Sequence, residues 1–222
     1  FFASNLYSQD VKWEKPDYNL IETEIAKEDS DLYYPKLMKR YLETDAAMTL
    51  DERRYLYYGY SFQKAYSPYG HSNYTDSLIS ILNKGELDST DLRDVIRFSD
   101  KVLNEVPFDL RTMNYKLYAC RELGETELFN VESIKTGMLL DALLSTGDGV
   151  SIETAYYVIY TSHEYFLLSM YGLNFTSQSL IDGCDYMQVA ENEYDIEGIY
   201  FNVSACFRAL NKMFDKNKTD EE

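Results

Sequence analysis

The chain has 222 residues, 45% of them hydrophobic, so it can bury a core as one domain or as two small ones. Its 38 acidic and 21 basic residues give a formal net charge of −17. Such a surface repels nucleic acid and anionic membranes, and no Lys/Arg cluster interrupts it, so we expect neither as a partner. No apolar run approaches the roughly 18 residues of a membrane-spanning helix, so none is predicted.

The first residues, FFASNLYSQD, differ from the rest of this acidic chain. Phe1–Ala3 have the character of the end of an apolar signal-peptide core, and Leu6–Ser8 that of a loose cleavage site before Gln9. We interpret residues 1–8 as the remnant of a signal peptide, with an ordered N-terminal arm as the alternative. The mature protein is then expected in the periplasm or outside the cell.

Helical periodicity dominates residues 17–145. The segment YYPKLMKRYLET places apolar and aromatic side chains three and four positions apart, a spacing that fits a helix and no strand. Thr49 and Glu52 form a capping-box pattern at the start of LDERRYLYYGYSF. The Pro- and Gly-containing segment SPYGHSN predicts a loop, and two further amphipathic helices follow it.

These helices are short and come in pairs, which prompts a search for a repeat. Pro107 ends one helix and Gly124 follows 17 residues later, a separation that fits the roughly 34-residue tetratricopeptide unit. Leu117 and Phe129 depart from that pattern. Residues 76–143 are therefore interpreted as degenerate tetratricopeptide-like hairpins, with a generic helical hairpin domain as the alternative.

The spacing of the apolar residues changes from helical to strand-like after Gly147 and Gly149. TAYYVIYT predicts a strand over residues 154–161, EYFLLSMYGL fits a strand or a helix, and CDYMQVAE and IYFNV predict strands around an acidic turn. SACFRALNKMF predicts a closing helix from Ser204, with Phe207, Leu210 and Phe214 facing inward.

The predicted fold class is therefore α+β: an array of antiparallel helical hairpins, then a small antiparallel sheet and a C-terminal helix. The helical part is assigned to residues 9–150 and the β part with its closing helix to 151–214, packed as one unit with the helices. Residues 215–222 form an acidic tail. Residues 151–222 hold 12 acidic and 4 basic side chains, so this third carries −8 of the net charge.

The three cysteines, Cys120, Cys184 and Cys206, follow no metal-binding spacing. An oxidising compartment would allow one disulfide, for which Cys184–Cys206 is the only pairing considered. Buried free thiols are favoured for all three. No metal site and no cofactor is predicted.

Chemistry-bearing patterns are sparse. No phosphate-binding Gly-rich loop, nucleophile elbow or zinc-protease motif occurs, so no catalytic residue is assigned. Glycosidase-type hydrolysis needs two carboxylates across a cleft, and Asp148, Glu164 and Asp185 stand out because they lie at element boundaries. The alternative is that these acids cap turns and face water. His163 could act as a base beside Glu164, but in a strand the two would point to opposite faces.

Tyrosine is the main functional signal, with 22 residues against a single Trp. In RYLYYGYSF, Tyr55, Tyr57, Tyr58 and Tyr60 cannot share one helix face, so some must be exposed or meet a second element. An apolar ring with a polar tip suits both packing between helices and a binding surface. The alternatives are therefore helix packing and an aromatic-lined groove.

The segments DLYYPKLMKRYL, RRYLYYGYSFQ, STGDG, TSHEYFLL and IYFNV resemble a family of Gram-negative envelope proteins classified as a domain of unknown function (DUF4919). The resemblance runs from about residue 15 to the end. The resemblance implies a signal peptide. The family has no assigned activity, so the resemblance implies no catalytic residue for this chain. Its recurring blocks draw attention to Tyr57, Tyr58, Gly59, Asp148, Gly149, His163, Glu164 and Tyr165.

Two functions remain open, and the oligomeric state is not predicted. The first is a secreted or periplasmic binding or scaffolding protein for a peptide, protein or glycan. The second is a hydrolase-type enzyme that uses the acids of the β part. A buried, converging acid pair with shifted pKa values would favour the enzyme, and scattered acids with an aromatic groove would favour binding. The candidate binding residues are Tyr57, Tyr58, Tyr60, His163 and Tyr165.

Overall fold

The computed structural model describes the backbone from Trp13 to Thr219 and the side chains to Lys212. The proposed signal-peptide remnant, the inward placement of Phe214 and the side chains of the acidic tail lie outside the described residues. The helices are α1 (Tyr18–Ile25), α2 (Tyr34–Leu42), α3 (Leu50–Gly59), α4 (Thr75–Leu82), α5 (Ser89–Glu105), α6 (Leu110–Leu123), α7 (Thr126–Leu144), α8 (Ser162–Met170) and α9 (Ser204–Thr219), with a 3-10 turn at Tyr60–Phe62. The strands are β1 (Tyr156–Tyr157), β2 (Phe175–Ile181), β3 (Cys184–Val189) and β4 (Gly198–Asn202). The α+β fold class is confirmed.

Local sequence signals set the helix ends. The capping box is present at α3, where the Glu52 N–H donates to Thr49 Oγ1 at 3.2 Å and the Thr49 N–H donates to Glu52 Oε2 at 2.7 Å. Gly124 ends α6 in the left-handed conformation, with φ of 71°. Helices α5, α6 and α7 pack on one another in chain order. Their finer likeness to tetratricopeptide repeats stays a prediction.

The sheet has the order β1–β4–β3–β2 and is mixed. β3 pairs antiparallel with both β2 and β4, as expected, but β1 runs parallel to β4, with Tyr156 opposite Phe201. The expectation of a purely antiparallel sheet is wrong for β1 because α8 and the β2–β3 hairpin separate it from β4, a connection long enough for a parallel pair. The segment EYFLLSMYGL is mainly helix, as α8, and β2 was not predicted.

One hydrophobic cluster draws on both halves of the chain. It joins Leu37 of α2, Tyr57 of α3 and Leu139 of α7 to Val158 and to Phe201 of β4, all fully buried. A second, smaller cluster packs α4 against α5 and α6. The helical part and the sheet therefore share one core.

The residues that follow β1 are buried without regular structure. Tyr58 Oη donates to the Tyr157 carbonyl at 3.2 Å, and Tyr66 Oη donates to the Ile159 carbonyl. Cys206 Sγ also donates to the Ile159 carbonyl, at 3.4 Å. Because a buried carbonyl without a partner is costly, these hydroxyls allow the segment to leave the sheet inside the core.

All three cysteines are buried free thiols, which confirms the favoured expectation. Cys184 lies 3.8 Å from Asn202 Nδ2, and Cys206 lies 3.9 Å from Tyr66 Oη. None of the described helices combines the length and apolar character needed to cross a membrane.

We predict that Tyr66→Phe lowers the free energy of unfolding by about 1–2 kcal/mol, because it removes the hydroxyl donor to Ile159 in the core. The matched control is Tyr69→Phe, whose side chain is 61% exposed and should change stability by less than about 0.5 kcal/mol. Urea unfolding measures both. Equal effects of the two variants would contradict this account of the segment.

Candidate functional site

Three of the four tyrosines in α3 and the turn after it are core residues, and Tyr55 is half-buried. Tyr57 and Tyr58 are fully buried and Tyr60 is 4% exposed. The helices α1, α2 and α7 pack on α3. Tyr57, Tyr58 and Tyr60 therefore meet other elements, which is one of the two alternatives expected for this cluster. Their rings form a cluster in which Tyr57 meets Tyr58 edge to face, with centroids 4.9 Å apart.

His163 is also fully buried. Its Nε2 lies 2.8 Å from the Phe108 carbonyl, which can only accept, so Nε2 carries the proton and Nδ1 accepts from Tyr57 Oη at 2.6 Å. Burial lowers the pKa of His163 to about 4. The neutral imidazole ties α8 to α3, and it does not reach a surface where a ligand binds.

A pocket of about 370 Å³ lies where α8, the β2–β3 hairpin and α9 meet. We call it the Tyr165 pocket. It combines aromatic and apolar side chains with a few polar groups, the composition typical of ligand sites. Its lining consists of Tyr69, Thr161, Tyr165, Gln178, Asp185, Val203, Cys206, Phe207 and Leu210.

Three polar side chains of the pocket are connected. Gln178 Nε2 donates to Asp185 Oδ2 at 2.8 Å, and Tyr165 Oη donates to Gln178 Oε1 at 3.3 Å. Asp185 is 8% exposed, and burial raises its pKa. Its remaining oxygen offers a hydrogen-bond acceptor that the strands β2 and β3 hold in place.

Glu164 precedes Tyr165 on α8 and is fully buried. Among the described residues, neither of its carboxylate oxygens has a hydrogen-bond partner. Burial, with a further contribution from the charge of Asp185, raises the pKa of Glu164 to about 8. Glu164 is therefore protonated at neutral pH. Burial also raises the pKa of Cys206 to about 12, so this thiol is no nucleophile there.

The charge of Asp185 thus acts on Glu164, whereas Asp148 has its polar partners elsewhere. Asp148 accepts hydrogen bonds from the Val150 N–H at 3.0 Å and from Thr154 Oγ1 at 2.6 Å, and so it shapes the loop before β1. Gly147 is needed in the same loop, since a Cβ there would lie 1.8 Å from the Thr154 carbonyl oxygen.

Of the residues singled out in the sequence, Tyr165 and Asp185 both line this pocket, whereas Tyr69, Gln178 and Phe207 were not among the candidates. Gln178 belongs to β2, which carries no strong strand signal. Phe207 was expected to face inward, yet it is 42% exposed and lines the pocket. Only the approach of α9 to the hairpin brings these residues together.

The acid and the histidine of α8 should give opposite pH dependences. Glu164 has a pKa of about 8 when folded, against 4.5 ordinarily, so between these values the folded state holds the extra proton and stability falls as pH rises. His163 has a pKa of about 4 when folded, against 6.5, so between these values the unfolded state holds the extra proton and stability falls as pH drops. Above pH 6.5 only the Glu164 effect remains.

We therefore predict that the free energy of unfolding decreases from pH 6.5 to 8, by at most about 1.4 kcal/mol per pH unit, and that Glu164→Gln removes this slope. Asp182→Asn is the control, because Asp182 is an exposed acid in the β2–β3 turn. Urea titrations across the window give the slopes. An unchanged slope in Glu164→Gln would show that another group is responsible.

The sequence matches the model of a family described as Domain of unknown function (DUF4919) over residues 19–212. Searches among curated proteins and among solved structures found no match. The match covers most of the chain, including every residue that lines the Tyr165 pocket. The chain belongs to the DUF4919 family of domains of unknown function.

Proposed function

We propose that this protein is a secreted or periplasmic binding or scaffolding protein that takes a peptide, a protein segment or a glycan at the Tyr165 pocket. The observation that carries the proposal is the composition of this pocket of about 370 Å³. An aromatic wall, the rings of Tyr69, Tyr165 and Phe207, lines it together with the carboxylate of Asp185, which a hydrogen bond from Gln178 holds in place. Aromatic faces and a few well-placed polar groups are the chemistry of such sites. The signal-like residues 1–8 support the compartment, and the hairpins of residues 76–143 support a scaffolding role.

Asp185 is the polar anchor in this proposal. It is held by Gln178 and meets the pocket, whereas Glu164 is fully buried and does not line it. A ligand therefore meets one carboxylate without any movement of the protein. This favours binding over acid–base chemistry, which needs two groups within reach of the substrate.

The second candidate is a glycosidase-like hydrolase. Glu164 and Asp185 are a buried acid pair with raised pKa values, and a carboxyl group that is protonated at neutral pH is what a general acid requires. In this alternative α8 must shift so that Glu164 reaches the substrate.

We predict that Asp185→Asn and Tyr165→Ala each weaken ligand binding about tenfold or more, because they remove the charged acceptor and the aromatic wall. The probes are the peptide acetyl-Ala-Lys-Ala-amide and the disaccharide N,N′-diacetylchitobiose, titrated into labelled protein and followed by NMR chemical shifts. Asp182→Asn removes the same charge three residues away in the exposed turn, so it is the matched control. Equal losses in Asp182→Asn and Asp185→Asn would reduce the effect to net charge and contradict a pocket.

The hydrolase alternative is tested with a panel of 4-nitrophenyl glycosides. Hydrolysis that disappears in Glu164→Gln, while that variant still binds the disaccharide, would establish the enzyme. Absence of hydrolysis, together with probe binding that depends on Asp185, supports the binding protein.

A further inference from the structure

Strand β2 is an open edge of the sheet. Within residues 13–219, the order β1–β4–β3–β2 leaves one side of β2 without a neighbouring strand, and residues 175–181 are all exposed or half-buried. The strand FTSQSLI contains no charged residue, no Pro and no Gly. Edge strands in proteins are normally protected by charges, Pro or bulges, and the one irregularity here, between Phe175 and Ser177, leaves Gln178–Ile181 regular.

The hairpin register identifies the free backbone groups. The turn residues Asp182 and Gly183 have positive φ values of 49° and 81°, and Ile181 lies opposite Cys184. In a two-residue hairpin the flanking pair exchanges both backbone hydrogen bonds, and the pattern then alternates along the strand. The N–H and C=O groups of Leu180 and Gln178 therefore point away from β3, and among the described residues they have no partner.

One of these two residues, Gln178, lines the Tyr165 pocket, and Leu180 lies on the same face of the sheet. Leu180 lies directly opposite Asp185, so their side chains share one face of the sheet, and Gln178 on that face lines the pocket. A second pocket of about 280 Å³ lies on the other side of Tyr165, where the Tyr165 and Phe175 rings meet at 5.3 Å. A strand added to β2 would direct every second side chain toward these pockets.

The charge of this region specifies the partner. Residues 151–207 contain eight acidic residues and no Lys or Arg. Glu164 is one of the eight and is buried and protonated, so seven remain as charges, and Arg111 of α6 is a basic group whose charge acts on Tyr165. A second copy of the chain would bring the same negative surface to the edge, and like charges oppose association. A cationic segment is attracted to it.

We infer that β2 accepts an added strand from a partner, an extended peptide segment with Lys or Arg among its alternate residues. Its main chain pairs with Gln178 and Leu180, and a basic side chain enters the Tyr165 pocket toward Asp185. Main-chain pairing gives affinity and side-chain pockets give specificity, as in other cases of strand addition. This inference rests on the proposed function of the Tyr165 pocket and names its ligand class.

Leu180→Pro is the decisive variant. Proline removes only an N–H that points outward, so the β2–β3 ladder keeps its hydrogen bonds, and proline is tolerated on edge strands. Leu180→Thr is the matched control, because it also removes the 60% exposed leucine side chain but keeps the N–H. Circular dichroism and thermal unfolding should show both variants folded like the wild type.

The experiment selects peptides from a displayed library of random 12-residue sequences on the wild-type protein and then measures affinity by fluorescence anisotropy. We expect enriched peptides with basic residues at alternate positions. Leu180→Pro should weaken the best peptide about tenfold or more and Leu180→Thr much less, and N-methylation of alternate peptide amides should abolish binding.

The outcomes separate the two proposals. Binding that is lost in Asp185→Asn but unchanged in Leu180→Pro would overturn strand addition and leave the pocket proposal standing. Enrichment of neutral or acidic peptides, or of none, would overturn the cationic segment. Dimerisation of the wild type that Leu180→Pro abolishes would assign the edge to a second copy and overturn the inference.

Discussion

The fold depends on how the chain satisfies the buried backbone between β1 and α8. Only Tyr156 and Tyr157 pair in the sheet, and the Val158 N–H adds one further bond to the Asn202 carbonyl at 3.1 Å. The residues that follow run through the core without a neighbouring strand. Hydroxyl groups of Tyr58 and Tyr66 reach into this segment and bond its carbonyls. A Phe-rich core would bury the same area but leave these groups unpaired, which accounts for the presence of tyrosine at these core positions.

Helix α8 connects this core to the pocket. On its inner side His163 is held neutral between Tyr57 and the Phe108 carbonyl, and the next residue, Glu164, is buried without a partner. Tyr165 then reaches the surface and bonds Gln178. One turn of helix thus passes from a fully satisfied polar group to an unsatisfied one and then to an exposed aromatic ring. An unsatisfied buried acid is the kind of feature that a stable core alone does not explain.

The sequence predicted what local rules control. Periodicity located the helices, the Thr49–Glu52 box located the start of α3, and the acidic turn located β3 and β4. It failed where tertiary packing decides. Strand β2 was missed because FTSQSLI buries neither face and so has no alternation to detect. For the tyrosines of α3 the sequence left helix packing and an aromatic groove open, because one helix face cannot hold them all. The packing of α1, α2 and α7 on this helix is what buries Tyr57 and Tyr58.

At the candidate site, too, the sequence indicates local features but not the contacts that tertiary packing creates. Asp185 and Glu164 drew attention as acids at element boundaries, yet nothing in their separation of 21 positions indicates that the charge of one acts on the other. Gln178 and Phe207 enter the pocket only through the packing of β2 and α9. What the sequence does show is that residues 151–207 have acidic side chains and no Lys or Arg. Combined with an uncharged edge strand, that imbalance leaves a surface that is suited to a partner of opposite charge and opposed to self-association.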